Sequence, residues 1–160
     1  MAQSEHGLSA ARVKRVDLAA GVLGVKLQYV DVLGSKDLET AFRATSKGRA
    51  DAGLMMVSGA LASSHRIEIA ELALKGRLPV IYQRREYVEA GGLMSYGADR
   101  NDLFRRAATY VDKILKGTKP ADIPVEQRTK FEFIIKLRAA RQIGLTIPPN
   151  ILARADKVIR

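Results

Sequence analysis

The chain has 160 residues, 47% of them hydrophobic, which is the length of one domain with enough apolar surface to build a core. Its net charge is +10 and it has no cysteine, which excludes a disulfide framework, a thiolate metal site and a cysteine nucleophile. His6 and His65 alone cannot furnish a multi-histidine metal site, so no metal and no cofactor are expected.

The charges are dispersed, and no basic group is interleaved with the aromatics that single-strand binders use for stacking. A solvated basic surface is therefore expected and no nucleic acid, although a phosphate-binding surface is the rival reading of the +10. The longest apolar run, Leu18 to Val25, is too short to span a membrane. Arg12, Lys14 and Arg15 before that run imitate a signal peptide, but Asp17 interrupts and no small-x-small cleavage site follows. No export signal is expected.

Residues 1–8 are polar and expected to be disordered. From Ser9 the apolar positions predict a helix closed by a left-handed Gly24. Val25 to Leu33 predicts a partly alternating strand, and Ser35 caps a helix with Leu38, Ala41, Phe42 and Thr45 on one face, ending at Gly48. Ala50 to Val57 reads as a continuous strand covered on both faces. A helix follows from Ala62 to Lys75, with Ile67, Ile69, Ala70, Ala73 and Leu74 inward, and then a strand from Leu78 to Tyr82.

This alternation predicts a parallel sheet, with ligands beyond the carboxyl ends of its strands: Leu33-Gly34, Ser58-Gly59 and Gln83 to Glu86. A strand from Leu93 to Ser95 precedes a helix capped by Asp99 or Asn101 and running to Lys116. Its apolar positions wrap too widely for one packing partner. Phe131 to Ile135 predicts a strand, Arg138 to Ile143 a short helix, and Ile151 to Ile159 a last helix.

Several stretches carry a family resemblance: residues 50–57 (ADAGLMMV), 64–73 (SHRIEIAELA), 78–82 (LPVIY) and 85–97 (REYVEAGGLMSYG). Residues 103–126 (LFRRAATYVDKILKGTKPADIPVE), 131–137 (FEFIIKL) and 144–149 (GLTIPP) continue it. Together they resemble the second half of ABC-transporter substrate-binding proteins of the periplasmic type I class, in the branch of tryptophan and tyrosine receptors. The resemblance implies an α/β fold, a three-layer parallel sheet flanked by helices, with residues 9–160 as one lobe.

Family members add an export signal, a first lobe, and a strand before the first helix of the second lobe. None of these is read in this sequence. The resemblance implies a periplasmic location, whereas a chain complete as given would be cytoplasmic. In the family the helix matching 101–116 covers the first lobe. Here that helix and the segment 125–160 are expected to pack on a partner, with self-association into a homodimer as the expectation. Arg128 stands where the family usually has proline, and Lys136 where it usually has asparagine.

The implied function is binding of a small solute such as an amino acid, without catalysis, and delivery to an ABC permease. The rival is a regulatory or structural oligomer built from such a lobe. The ligand-binding candidates that the resemblance implies are Ser58, Tyr82, Arg85, Glu86, Tyr87 and Tyr96. Arg85 either forks to a ligand carboxylate or pairs with Glu86 or Glu89. Tyr96 packs on a ligand or sits in the core, and Ser58 contacts ligand or caps a turn. His65 has no nucleophile and acid placed around it, so no catalytic residue is expected.

Overall fold

A computed structural model describes residues 10–56, 60–127 and 130–160. The predicted candidate Ser58 and the departure Arg128 lie outside the described residues. Helix α1 (Ala10–Leu23) ends at Gly24, whose φ of 65° supplies the left-handed turn. Residues 25–33, predicted as a strand, form none. Tyr29 instead donates to Asp17 Oδ1 of α1 at 2.7 Å, and Leu33 is three-quarters exposed. An alternating sequence is held extended only by a neighbouring ladder, and none of the described strands pairs with it.

Helix α2 (Leu38–Lys47) follows a 3₁₀ turn, Ser35–Asp37. The turn is capped from below rather than by Ser35: the Asp37 carboxylate accepts the Gly34 N–H at 2.9 Å and the Leu33 N–H at 3.2 Å. The helix predicted over 62–75 is broken at His65 (φ −100°, ψ 18°) into α3 (Ala60–Ser64) and α4 (Arg66–Lys75). Ser64 Oγ donates back to the Ala60 carbonyl at 3.0 Å, which competes with the helix ladder just before the break. The break turns Ile67 outward, half-exposed, while Ile69, Ala70 and Ala73 are buried as predicted.

Among the described residues five strands form one sheet in the order β1 (Gly53–Met55), β2 (Val80–Tyr82), β3 (Met94–Ala98), β4 (Phe131–Lys136), β5 (Lys157–Ile159). The neighbours are parallel except β3 and β4, which are antiparallel with Ala98 opposite Phe131. The sheet is mostly parallel, as predicted, and the one antiparallel neighbour pair has a topological reason. After β3 the chain leaves through α6 (Arg100–Leu115), which holds no buried residue and does not lie over the sheet. It re-enters at the end it left, so β4 must run the other way.

Two further corrections concern short elements. Residues 85–89, for which no element was predicted, form helix α5, with Arg84 as its extended N-cap. The last predicted helix is only α8 (Pro149–Leu152), after α7 (Leu137–Gln142). The chain then pairs as β5, where Asp156 exchanges backbone and side-chain hydrogen bonds with Phe133 at 2.9 and 2.7 Å. Two clusters form the core. One packs Leu38, Ala62, Ile69, Ala73, Val80, Tyr82 and Tyr87 between β1–β2 and helices α2–α5; the other packs Leu93 against Ala139, Ala140 and Ile143 of and beside α7. Burial of each large side chain contributes roughly 1.5–3 kcal/mol.

Candidate functional site

The parallel strands β1, β2 and β3 all end at one edge of the sheet, where β4 enters. The loop after β2 and the end of β3 are held together by a close backbone approach. A Cβ on Gly97 would collide with the Gln83 carbonyl, so only glycine fits. Gly92 is similarly confined: a Cβ there would lie 2.8 Å from the Tyr87 carbonyl. The glycines in this stretch therefore serve backbone packing that brings charged side chains into one cluster.

That cluster is built on α5. Arg84 forks onto Glu86, Nη2 to Oε1 at 2.9 Å and Nε to Oε2 at 3.4 Å, and its Nη1 donates to Ser63 Oγ at 3.0 Å. Arg100, at the start of α6, reaches the same Glu86 oxygen at 3.4 Å. Partial burial pushes the Glu86 carboxyl up. The Arg84 hydrogen bond, the helix backbone and the charges of Arg84 and Arg100 outweigh it and hold the carboxyl below the usual range. Arg85 pairs with Glu89 at 2.9 Å and lies 3.9 Å from Glu132 of β4, so of its two expected partners it takes Glu89. Asp99 accepts from the Asn101 and Asp102 N–H groups at 2.9 and 3.3 Å and caps α6; these bonds keep its carboxyl low.

Two hollows adjoin the cluster. An open cleft of about 420 Å³ is lined by Ser63, Arg66, Ile67, Arg84, Glu86, Tyr87, Glu89 and Ala90. A much smaller depression at the sheet edge is lined by residues 83–86, Ser95, Gly97, Ala98, Arg100 and Glu132. The cleft has the volume of a small-molecule site and a rim of alternating fixed charges.

Of the predicted candidates, Arg85, Glu86 and Tyr87 come together here. Tyr82 belongs to the core: it is 1% exposed and its ring stacks on Tyr87 at 4.9 Å with 1° between the planes. Its hydroxyl is the buried side-chain polar atom without a partner among the described residues, and burial, then Tyr87, pushes it far up. Tyr87 satisfies its own hydroxyl on the Ala62 carbonyl at 2.8 Å and floors the cleft. Tyr96 faces the other side of β3 from Ser95 and Gly97. There it stacks on Phe131 at 5.5 Å and meets Phe133 edge-on at 6.3 Å.

Sequence reasoning missed Arg84, Arg100 and Ser63. The signal for Arg84 was its place as the second residue past the β2 end, immediately before a helix. Lys136, one of the sequence departures, donates to the Val88 carbonyl at 3.1 Å and ties β4 to α5. Among the described residues no cluster of three or more histidine, cysteine or acidic side chains is placed to hold a metal. No helix among them is long and apolar enough to cross a membrane.

A family model described as ABC transporter substrate binding protein matches residues 2–159. A conserved domain protein from Vibrio cholerae is 28% identical, with a TM-score of 0.81 over 92% of this chain and 49% of that one. The ABC domain in complex with L-Trp from Streptococcus pneumoniae gives the same TM-score at 24% identity, covering 93% of this chain and 50% of that one. A ligand-free, open substrate binding protein with adhesive properties from Clostridium difficile is 20% identical, with a TM-score of 0.67, covering 94% and 49%. The chain thus spans about half the length of each of these solved structures. No curated protein matches the sequence.

Proposed function

Because the chain belongs to the ABC transporter substrate-binding protein family, normally periplasmic proteins that bind solutes without catalysis, we propose that this lobe binds a small zwitterionic solute, an amino acid. The observation that supports this is the charge pattern on α5. Arg66, Arg84, Glu86 and Glu89 line the open cleft, and Arg85 and Arg100 line the small depression beside it, so that the two hollows share Arg84 and Glu86 and offer a fork for a carboxylate and acceptors for an ammonium. Tyr87 gives the cleft an aromatic floor, and Tyr82 backs it from the core. Ser58 adds a hydroxyl in this reading, whereas Tyr96 stands on the opposite face of β3 and takes no part.

The ligand carboxylate competes with Glu86 and Glu89 for guanidinium hydrogen bonds, so affinity depends on how cheaply those pairs open. The exposed Arg85–Glu89 pair is worth only about 0–1 kcal/mol and is readily replaced by a ligand, while the part-buried Arg84–Glu86 fork is the costlier one to open. In this reading the lobe works as a homodimer, closes on its solute and delivers it to an ABC permease.

Thermal unfolding with L-tryptophan, L-tyrosine and branched-chain amino acids tests the proposal. A ligand at a hundred times its Kd stabilises the native state by about 2.7 kcal/mol, a rise of several degrees for a domain of this size. Absence of any rise across the series favours the rival, a regulatory or structural oligomer.

A further inference from the structure

We propose that the sheet edge away from the cleft adsorbs to an anionic phospholipid surface through six exposed cations: Lys47, Arg49, Lys75, Arg77, Arg138 and Arg141. The proposal goes beyond the solute reading and does not depend on it.

The topology collects residues that the sequence scatters. Strands β1, β2 and β3 begin at this edge and β4 ends there, with the Lys136 N–H bonded to the Leu93 carbonyl at 2.9 Å. The crossover helices α2 and α4 run back against the strands, so their C-terminal ends reach the same edge. A Cβ on Gly76 would lie 3.9 Å from Ser46 Oγ, which sets the two Lys-Gly-Arg ends side by side. Leu74 of α4 packs on Ala139, Ala140 and Ile143, which adds α7 to the edge. The two alanines of α7 are buried, and Arg138 and Arg141, three positions apart, stand on its exposed side.

All six cations are exposed, and none has an ion pair or side-chain hydrogen bond among the described residues. Asp51 and Glu71, the acids closest in sequence to the four on α2 and α4, pair with none of them. At the cleft edge the opposite holds: Arg84, Arg85, Arg100 and Lys130 each meet a carboxylate. Arg49 and Arg77 also hold left-handed backbone, at φ 52° and 51°, in the place after a helix that glycine fills best. The same disfavoured choice at both helix ends points to a use for the side chain.

A bilayer suits this edge better than nucleic acid does. Residues 45–51, 73–79 and 137–145 expose no large hydrophobic side chain, so the contact is electrostatic and offers no ring to a base. Helix α7, at six residues, is too short to read a groove. Six clustered basic residues are within the range that anionic headgroups attract. Helix α6, expected to pack on a partner, leaves from the other edge after β3, so covering α6 does not cover these cations. A lobe held this way keeps its cleft open to solution.

Co-sedimentation with vesicles provides the test, using phosphatidylcholine alone or with about a third phosphatidylglycerol, at about 50 and 500 mM salt. The wild type is expected to bind the anionic vesicles at low salt, to release them at high salt and to ignore the neutral ones. Each cation held at such a surface tightens adsorption roughly fivefold, so Arg49→Gly with Arg77→Gly is expected to weaken it at least tenfold. Glycine suits both backbone positions, so that loss cannot come from misfolding. Arg105→Gln with Lys113→Gln removes the same charge from α6 and is expected to bind as the wild type does. No binding at low salt overturns the proposal, as does equal binding to neutral vesicles or full binding by the double-glycine variant. An equal loss in the α6 variant overturns it too, since net charge alone would then act, and tighter binding to duplex DNA would make the edge a nucleic-acid surface instead. Amino-acid binding by the double-glycine variant is expected to match the wild type, and its absence from both would leave the lipid surface standing.

Discussion

Arg84 holds Glu86 by two hydrogen bonds, at 2.9 and 3.4 Å, from the N-cap of a five-residue helix that follows the end of β2. The pair depresses the folded-state pKa of Glu86 below its ordinary 4.5. Its stabilisation is therefore fully present above pH 4.5 and is lost as the pH falls through the lower folded value. Glu86→Gln should cost about 1 kcal/mol at neutral pH. Urea unfolding from pH 3 to 7 checks this, because the gap between wild type and variant should close at the acid end.

The stacked tyrosines separate two kinds of buried hydroxyl. Tyr87 bonds the Ala62 carbonyl, while the Tyr82 hydroxyl finds no partner. Tyr82→Phe should leave stability unchanged or raise it by up to about 1 kcal/mol, and Tyr87→Phe should cost about 1 kcal/mol through the stranded carbonyl. Chemical denaturation of the two single variants measures both, with the ring stack kept in each.

Gly97 permits the backbone contact with Gln83 that joins the loop after β2 to the end of β3. Gly97→Ala should destabilise the fold by about 1–3 kcal/mol, because backbone on both sides must yield. It should also weaken solute binding by displacing Arg84 and Arg100 relative to each other. Gly21→Ala, where a Cβ meets nothing within 4 Å, is the matched control and should be harmless or mildly stabilising.

The tripeptide Lys-Gly-Arg ends both α2 and α4. In each case the glycine stays right-handed, at φ −72° and −79°, and the arginine turns left-handed: Arg49 at φ 52° and Arg77 at φ 51°. Left-handed backbone costs an L residue about 1 kcal/mol. Arg49→Gly and Arg77→Gly should each stabilise by a few tenths to about 1 kcal/mol, less the entropy that glycine adds to the unfolded chain. Thermal melts of the single and double variants, which should be additive, provide the check.

The fold class was legible because its signals are local: glycines 24, 48, 76 and 117 closing helices, and the β-branched pair Val80-Ile81 in a short run that stops at the polar residues after Tyr82. What escaped depended on distant partners. Residues 25–33 have a strand's alternation and no ladder to join, and Lys157 to Ile159 became a strand because β4 offered its edge. The antiparallel turn at β3–β4 follows from where α6 goes, which its own periodicity does not record. At the site, the family resemblance named Arg85, Glu86 and Tyr87, which the fold brings together, and Tyr82 and Tyr96, which it places in the core and on the far face of β3. Arg84 and Arg100 meet only through the folded approach of two loops sixteen positions apart in the chain.

The central claim is that the charges around α5 recognise a free amino acid. Isothermal titration calorimetry of L-tryptophan into the wild-type protein and into Arg84→Ala and Arg85→Ala measures it most directly. The account predicts saturable binding to the wild type, weakened at least tenfold in one or both variants, with the α-carboxamide of tryptophan binding poorly to all three. Equal binding by the amide and the acid, or wild-type affinity in both arginine variants, would contradict it.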